Sequence, residues 1–259
     1  EMFRVFNMGI GMCLLVGEYY AESIQQQLTG HGLASWQIGR IIDGFQGKTL
    51  GNHSIAMTTK HFPGGGPREN GFDPHYEEGK WNLYPTPGSL EKYHLPPFRA
   101  AVEHGTSSMM PYYSIPSIKK SAVQEFEGEN IPFDEVGFTF NEYFLNTILR
   151  EKLGFKGYIN SDSGVTSKMS WGVETLSEAE RFAKAINAGT DLISDTNDIE
   201  NLKTAIENGW ISEERINEAN VRLLTEMFAL GLFDDRTYVS PEKAASVVNN
   251  PASWEAAYE

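Results

Sequence analysis

Three places in the sequence end in side chains that could do chemistry together: Lys60-His61, Tyr112 and Asp162. A carboxylate set among a lysine, a histidine and a tyrosine is held ionised by the positive neighbour and by hydrogen bonds. An ionised, partly sheltered carboxylate is a nucleophile. In retaining glycoside hydrolysis it attacks the anomeric carbon while a second carboxyl group, roughly 5 Å away, protonates the leaving oxygen. Asp162 lies in GYINSDSG (Gly157 to Gly164), where the strand formers Tyr158 and Ile159 run into an acid followed by small residues. Two other readings of the same residues stay open. Asp162 is also a favoured N-cap for a following helix, and Lys60 could act as a Schiff-base amine.

The elements that must position these groups follow from apolar spacing. Met12 to Leu28 repeats Leu15, Tyr19, Ile24 and Leu28 at helical intervals, and a polar connection leads from Gly30 to His53. Ser54 to Thr59 predicts a strand delivering Lys60 and His61. Pro63 to Ser89 is irregular and carries Phe72, Tyr76, Trp81 and Tyr84, which predicts an ordered, substrate-facing loop. A helix over 90–104 stops at Gly105, a strand spans Thr106 to Tyr112, and an irregular segment reaches Gly137. Helices are predicted over 140–153, 178–188, 199–208 and 212–230, with Ser212 as an N-cap, and a last strand over Asp191 to Ser194. Alternation of this kind implies parallel strands joined by crossover helices. In a parallel barrel the strand ends converge on one mouth, bringing Lys60-His61, Tyr112 and Asp162 together. Four strands are too few for eight units. The expected fold is α/β, either an open sheet or a barrel missing its first units, and the ragged start favours the second, a (β/α)8 TIM-barrel-like domain incomplete at its N-terminus.

Composition narrows the partners. The net charge of -14 argues against nucleic acid and against an anionic membrane surface, and favours a neutral substrate. No apolar run is long enough to span a bilayer. Cys13 is the only cysteine, which excludes an intrachain disulfide and a multi-cysteine metal site. The chemistry suggested by the carboxylate needs neither metal nor cofactor. The loop aromatics offer flat surfaces for the apolar faces of sugar rings.

KHFPGGG (Lys60 to Gly66), MMPYY (Met109 to Tyr113) and the SDSG segment strongly resemble glycoside hydrolase family 3, with its bacterial β-glucosidase-like branch as the nearest match. DPHY (Asp73 to Tyr76), YHLPPF (Tyr93 to Phe98), WGVE (Trp171 to Glu174), AINAGTDL (Ala185 to Leu192) and LGLFD (Leu230 to Asp234) follow in the family's order. The resemblance implies the barrel domain of a retaining, exo-acting β-glycosidase acting on β-glucosides or short oligosaccharides. It implies Asp162 as nucleophile and Lys60, His61, Tyr112, Arg4 and Asp73 as substrate-binding residues. Export to the periplasm or the medium is consistent with it, although no leader opens the chain. The compartment is left open.

The departures are informative as well. After Arg4 the chain reads VFNMGIGMC where the family has a small, aromatic and acidic run, and Ser163 stands where a Trp often follows the nucleophile. The resemblance places a truncated barrel over residues 1–238. Residues 239–259 open the linker to a C-terminal α/β sandwich domain, which in most two-domain members supplies the acid/base Glu. Single-domain β-N-acetylglucosaminidases of the family use a loop His paired with Asp instead, and Asp73-Pro74-His75 sits in the corresponding loop. His75 is therefore a candidate acid/base. Glu174 is read as structural or as a support for the residues that touch substrate, Asp191 as structural, and Met109 and Met110 as barrel packing. A sugar-binding barrel without hydrolytic activity is the competing function.

Overall fold

The computed structural model describes residues 25–31, 38–234, 240–248, 251–252 and 255. Arg4, the altered run after it, and most of the helix expected from Met12 lie outside these residues. In the stretch read as a polar connection, a helix α1 spans Ile38–Gln46. Its apolar residues Ile38, Ile41, Ile42 and Phe45 follow the i, i+3, i+4, i+7 spacing that signals an amphipathic helix, a signal too short to stand out. Gln46 closes it and is buried. Its amide donates to Gly105 O at 2.8 Å and accepts from Met57 N at 2.9 Å and Ser107 N at 3.0 Å. One side chain thus ties α1 to the chain entering two strands.

Those strands are β1, Thr58–Phe62, and β3, Ser108–Pro111, separated by the two-residue strand β2 at Trp81–Asn82. β1 pairs parallel with β3, and β3 pairs parallel with β7, Tyr158–Ile159. A parallel bridge from Asn160 to Leu192 adds the next position, which is all that forms of the strand expected over Asp191 to Ser194. Sequence order and spatial order agree, β1-β3-β7 and then Leu192, as in an arc of a parallel barrel. Lys60 and His61 fall inside β1 rather than just beyond it, because pairing to Ser108–Pro111 continues through Phe62.

The helix expected over 90–104 is two segments. A wide turn at Leu90–His94 closes with Leu95 N donating to Leu90 O, and α2 then runs Pro96–Glu103. Pro96 and Pro97 have no N–H to donate, so the helix restarts with proline in its first turn. A second wide helical segment, Tyr143–Lys152, buries Phe144, Leu145, Ile148 and Leu149 against the sheet. In the irregular stretch before it, β4 (Ile115–Pro116) pairs parallel with β2, and β5 (Glu125–Phe126) pairs antiparallel with β6 (Glu129–Asn130) across a Glu127-Gly128 turn with both φ positive.

After β7 come α3 (Glu178–Asn187), α4 (Ile199–Glu207), α5 (Glu213–Ala229) and α6 (Pro241–Val247). Ser177 and Glu180 form a capping box on α3, and Ser212 caps α5 by accepting from Arg215 N. The main core lies between sheet and helices, around Phe62, Phe98, Met109, Phe138, Phe144 and Ile159. Tyr84, expected in the substrate-facing loop, is fully buried there. Asp191 is structural, as its turn position suggested. Its carboxylate is wholly buried at the start of the last strand position and takes Arg150, Arg215 and Arg222 at 2.5, 2.8 and 2.8 Å, with Ile159 N at 2.9 Å.

Candidate active site

Asp162 stands three residues past β7, at the C-terminal end of the parallel strands. No helix begins there, since residues 163–168 form turns, so its carboxylate caps nothing. Ser163 N donates to Oδ1 at 2.8 Å, and His61 Nε2 donates to Oδ2 at 3.1 Å. His61 arrives from β1, two strands away, and both side chains keep a modest opening to solvent (30% and 16%). A carboxylate in this position is open enough to meet a ligand and dry enough to feel each donor.

The tyrosine beside it is Tyr113. Its hydroxyl donates to Ser163 O at 2.8 Å, next to Asp162, and helps hold that carboxyl down. Burial, and then the Asp162 charge, hold the phenol well above its ordinary value. Burial alone would raise Asp162. The donors His61, Ser163 N–H and Tyr113 outweigh it and hold the carboxyl down at about 2. At neutral pH it is an anion.

Tyr112, the tyrosine singled out from sequence, has its ring 5.8 Å from that of His61 and belongs to the main core. It also packs on the glycine loop: a Cβ on Gly65 would sit 2.9 Å from its ring, which is why that position has no side chain. Burial raises its phenol, and Arg68 partly offsets this. Arg68, which sequence reasoning passed over, donates to Gly65 O at 3.0 Å and Phe72 O at 3.4 Å, linking the glycine loop to the loop of Asp73. Lys60 is exposed; among the described residues it makes no ion pair, its Nζ lying 3.9 Å from Met110 Sδ.

Asp73 and His75 form a dyad, with Nδ1 2.6 Å from Oδ1 and His75 N donating to the same oxygen at 3.0 Å. His75 stands edge-on to Tyr113 with ring centroids 5.0 Å apart. The backbone and then the ring of His75 pull the Asp73 carboxyl below its ordinary value. Asp73, His75 and Tyr113 thus run in contact up to the Ser163 carbonyl, and Asp162, one residue earlier, is braced by His61. Asp195, just beyond the last strand position, also reaches Tyr113 electrostatically and holds a left-handed φ of 54°. Its signal in the sequence was only that of an acid following a strand. Glu174 is exposed and offers its backbone carbonyl, not its carboxylate, to Arg181.

A parallel αβ arc with an ionised, histidine-braced carboxylate at the strands' C-terminal ends has the layout of an α/β barrel's functional mouth. The model of the glycosyl hydrolase family 3 N-terminal domain matches residues 31–226. The chain belongs to this family. It is 40% identical over 229 residues to beta-glucosidase C of Emericella nidulans, covering 84% of this chain and 35% of that protein. It is 32% identical over 225 residues to the periplasmic beta-glucosidase/beta-xylosidase of Dickeya chrysanthemi, covering 80% of this chain and 33% of that one. The chain thus spans about a third of the length of these relatives, which are fungal and bacterial alike. Among solved structures, a beta-glucosidase from Listeria innocua in complex with isofagomine superposes with a TM-score of 0.66 at 24% identity, over 83% of this chain and 28% of that one. That likeness bears on the fold and agrees with a partial barrel.

Proposed function

We propose that this chain is the nucleophile-bearing barrel portion of a retaining, exo-acting β-glucosidase. In this reading Asp162 attacks the anomeric carbon of a non-reducing-end β-glucoside, the glycosidic C–O bond breaks, and water later releases glucose from the glycosyl-aspartate. Lys60 and His61 hold sugar hydroxyls, with Tyr112, Asp73 and Arg4 as further substrate-binding residues. Residues 1–238 form the barrel portion and 239–259 lead toward a C-terminal α/β sandwich domain that supplies the acid/base carboxyl. The observation that carries the reading is the placement of Asp162 just past β7 with His61 Nε2 at 3.1 Å and Ser163 N at 2.8 Å, donors that keep its carboxylate ionised where a ligand can meet it. The test is intact mass after incubation with dinitrophenyl 2-deoxy-2-fluoro-β-glucoside, whose leaving group needs little protonation. A covalent adduct mapped to Asp162 is the expected result. Calorimetric binding of glucose with no adduct in this chain or in the full-length protein would replace the reading with that of a sugar-binding barrel.

The 2.6 Å contact between His75 and Asp73 favours a second reading for the proton donor alone. A histidine oriented by a carboxylate can protonate the leaving oxygen itself. His75→Asn would then spare dinitrophenyl substrates and slow poor leaving groups by roughly 100-fold or more. A flat response across leaving groups would return the role to the second domain.

A further inference from the structure

The turn that carries His75 is held from the far side of the mouth. Trp171 Nε1 donates to Pro74 O at 2.8 Å across 97 residues of sequence, joining the loop after the nucleophile strand to the Asp73-Pro74-His75 turn. Pro74 is buried between two exposed neighbours, so its carbonyl is the fixed point of the turn. Gly79 backs it from behind, where a Cβ would lie 2.1 Å from Asp73 O.

Trp171 is itself clamped. Its carbonyl accepts from Gly137 N at 2.9 Å, and a Cβ on Gly137 would meet Tyr113 O at 2.7 Å. Gly172, at φ +80, lies so close to Glu135 that a Cβ would be 2.4 Å from its carbonyl oxygen. Lys80 Nζ lies 5.8 Å from the centroid of the Trp171 ring, and Lys80 O accepts from Ile115 N at 2.7 Å at the start of β4. The backbone that carries the indole is therefore held in place, and the ring is partly buried beside Lys80.

We infer that Trp171 is a positioning residue: its indole N–H fixes the Asp73-Pro74-His75 turn so that the His75 imidazole stays against Tyr113, one ring away from Asp162. The inference rests on the second reading above, in which His75 moves the proton of the leaving group. Trp171 touches neither the reacting carbon nor the leaving oxygen; it acts through the turn.

The test uses the full chain and Trp171→Phe, which keeps an aromatic ring near Lys80 and removes the N–H donor together with part of the indole. The first readout needs no turnover. Carbon-13 correlation spectra of the histidine Cε1–H groups, with His75 assigned by His75→Asn, report the ring current of Tyr113. In Trp171→Phe the His75 signal is expected to move toward the unstructured position while the His61 signal holds. An unmoved His75 signal overturns the inference. The second readout is the labelling rate of Asp162 by 2-deoxy-2-fluoroglucosides of graded leaving-group ability. Trp171→Phe should stay within about twofold for dinitrophenyl and lose about fivefold for poor leaving groups, the worth of one hydrogen bond. An equal loss for every leaving group would mark a merely structural role and overturns it too. If the unsubstituted chain and the full-length protein are never labelled, the glucosidase reading falls, and the spectra still decide whether Trp171 holds the turn.

Discussion

Replacing Tyr113 with phenylalanine removes a hydroxyl that helps hold the Asp162 carboxyl down and keeps the ring against His75. A hydrogen bond to a charged group contributes ~1.5–3 kcal/mol. The Tyr113 hydroxyl also faces the Ser163 carbonyl at 2.8 Å, so the lower end applies, and ~1.5 kcal/mol corresponds to about one pKa unit. Asp162 should then titrate about one unit above its value of about 2, whereas Tyr112→Phe should leave it in place. A carbon-13-detected titration of the Asp162 carboxyl, assigned through Asp162→Asn, reads this directly and needs no substrate. The same change alters stability, with a definite sign. The folded value is depressed from 3.8, so ionised Asp162 stabilises the fold above the unfolded value, and that contribution disappears as pH falls through about 2. Its size is ~2 kcal/mol for a depression of this order, and Tyr113→Phe should reduce it to ~1 kcal/mol. Urea midpoints at pH 6 and pH 3 should therefore differ less in the variant. An unchanged Asp162 midpoint in Tyr113→Phe, or an equal shift in Tyr112→Phe, would refute the argument.

Two further substitutions probe the frame around the site. Asp191→Asn leaves Arg150, Arg215 and Arg222 crowded around an uncharged amide, and burial with the other two arginines already pulls Arg150 down to about 10. Breaking a buried ion pair of this kind costs ~3–5 kcal/mol, so urea unfolding should show a loss of that size; a loss below 1 kcal/mol would mean the cluster is solvated. Gly157→Ala would place a Cβ 1.9 Å from Ser107 O, pushing β7 away from β3. Overpacking of this kind costs ~1–3 kcal/mol, and because β7 delivers Asp162, the labelling rate should fall along with the thermal midpoint. A variant with a lowered midpoint and unchanged labelling would show that the strand shifts without carrying the carboxylate.

The sequence by itself determined the local framework. Ser212 before an amphipathic stretch specified the start of α5, and Gly105, Gly154 and Gly189 stopped the segments before them, each with φ positive. Lys60-His61 and Asp162 were legible as polar ends of β-prone runs, and strand–helix alternation implied a parallel sheet that puts them at one mouth. Which neighbour meets which was not legible. Tyr112 and Tyr113 are adjacent and chemically alike, and only the packing that follows β3 sends the first into the main core and the second to the Ser163 carbonyl beside Asp162. The register of β1 against β3 slips between Lys60 and Phe62, so simple alternation does not say which way His61 faces. Trp171 reaches Pro74 across 97 residues, a distance over which no periodicity carries information. Hydrophobic period and capping are properties of a few consecutive residues and can be read from them. Register, bulges and loop-to-loop hydrogen bonds depend on partners far along the chain, so only the tertiary structure decides them.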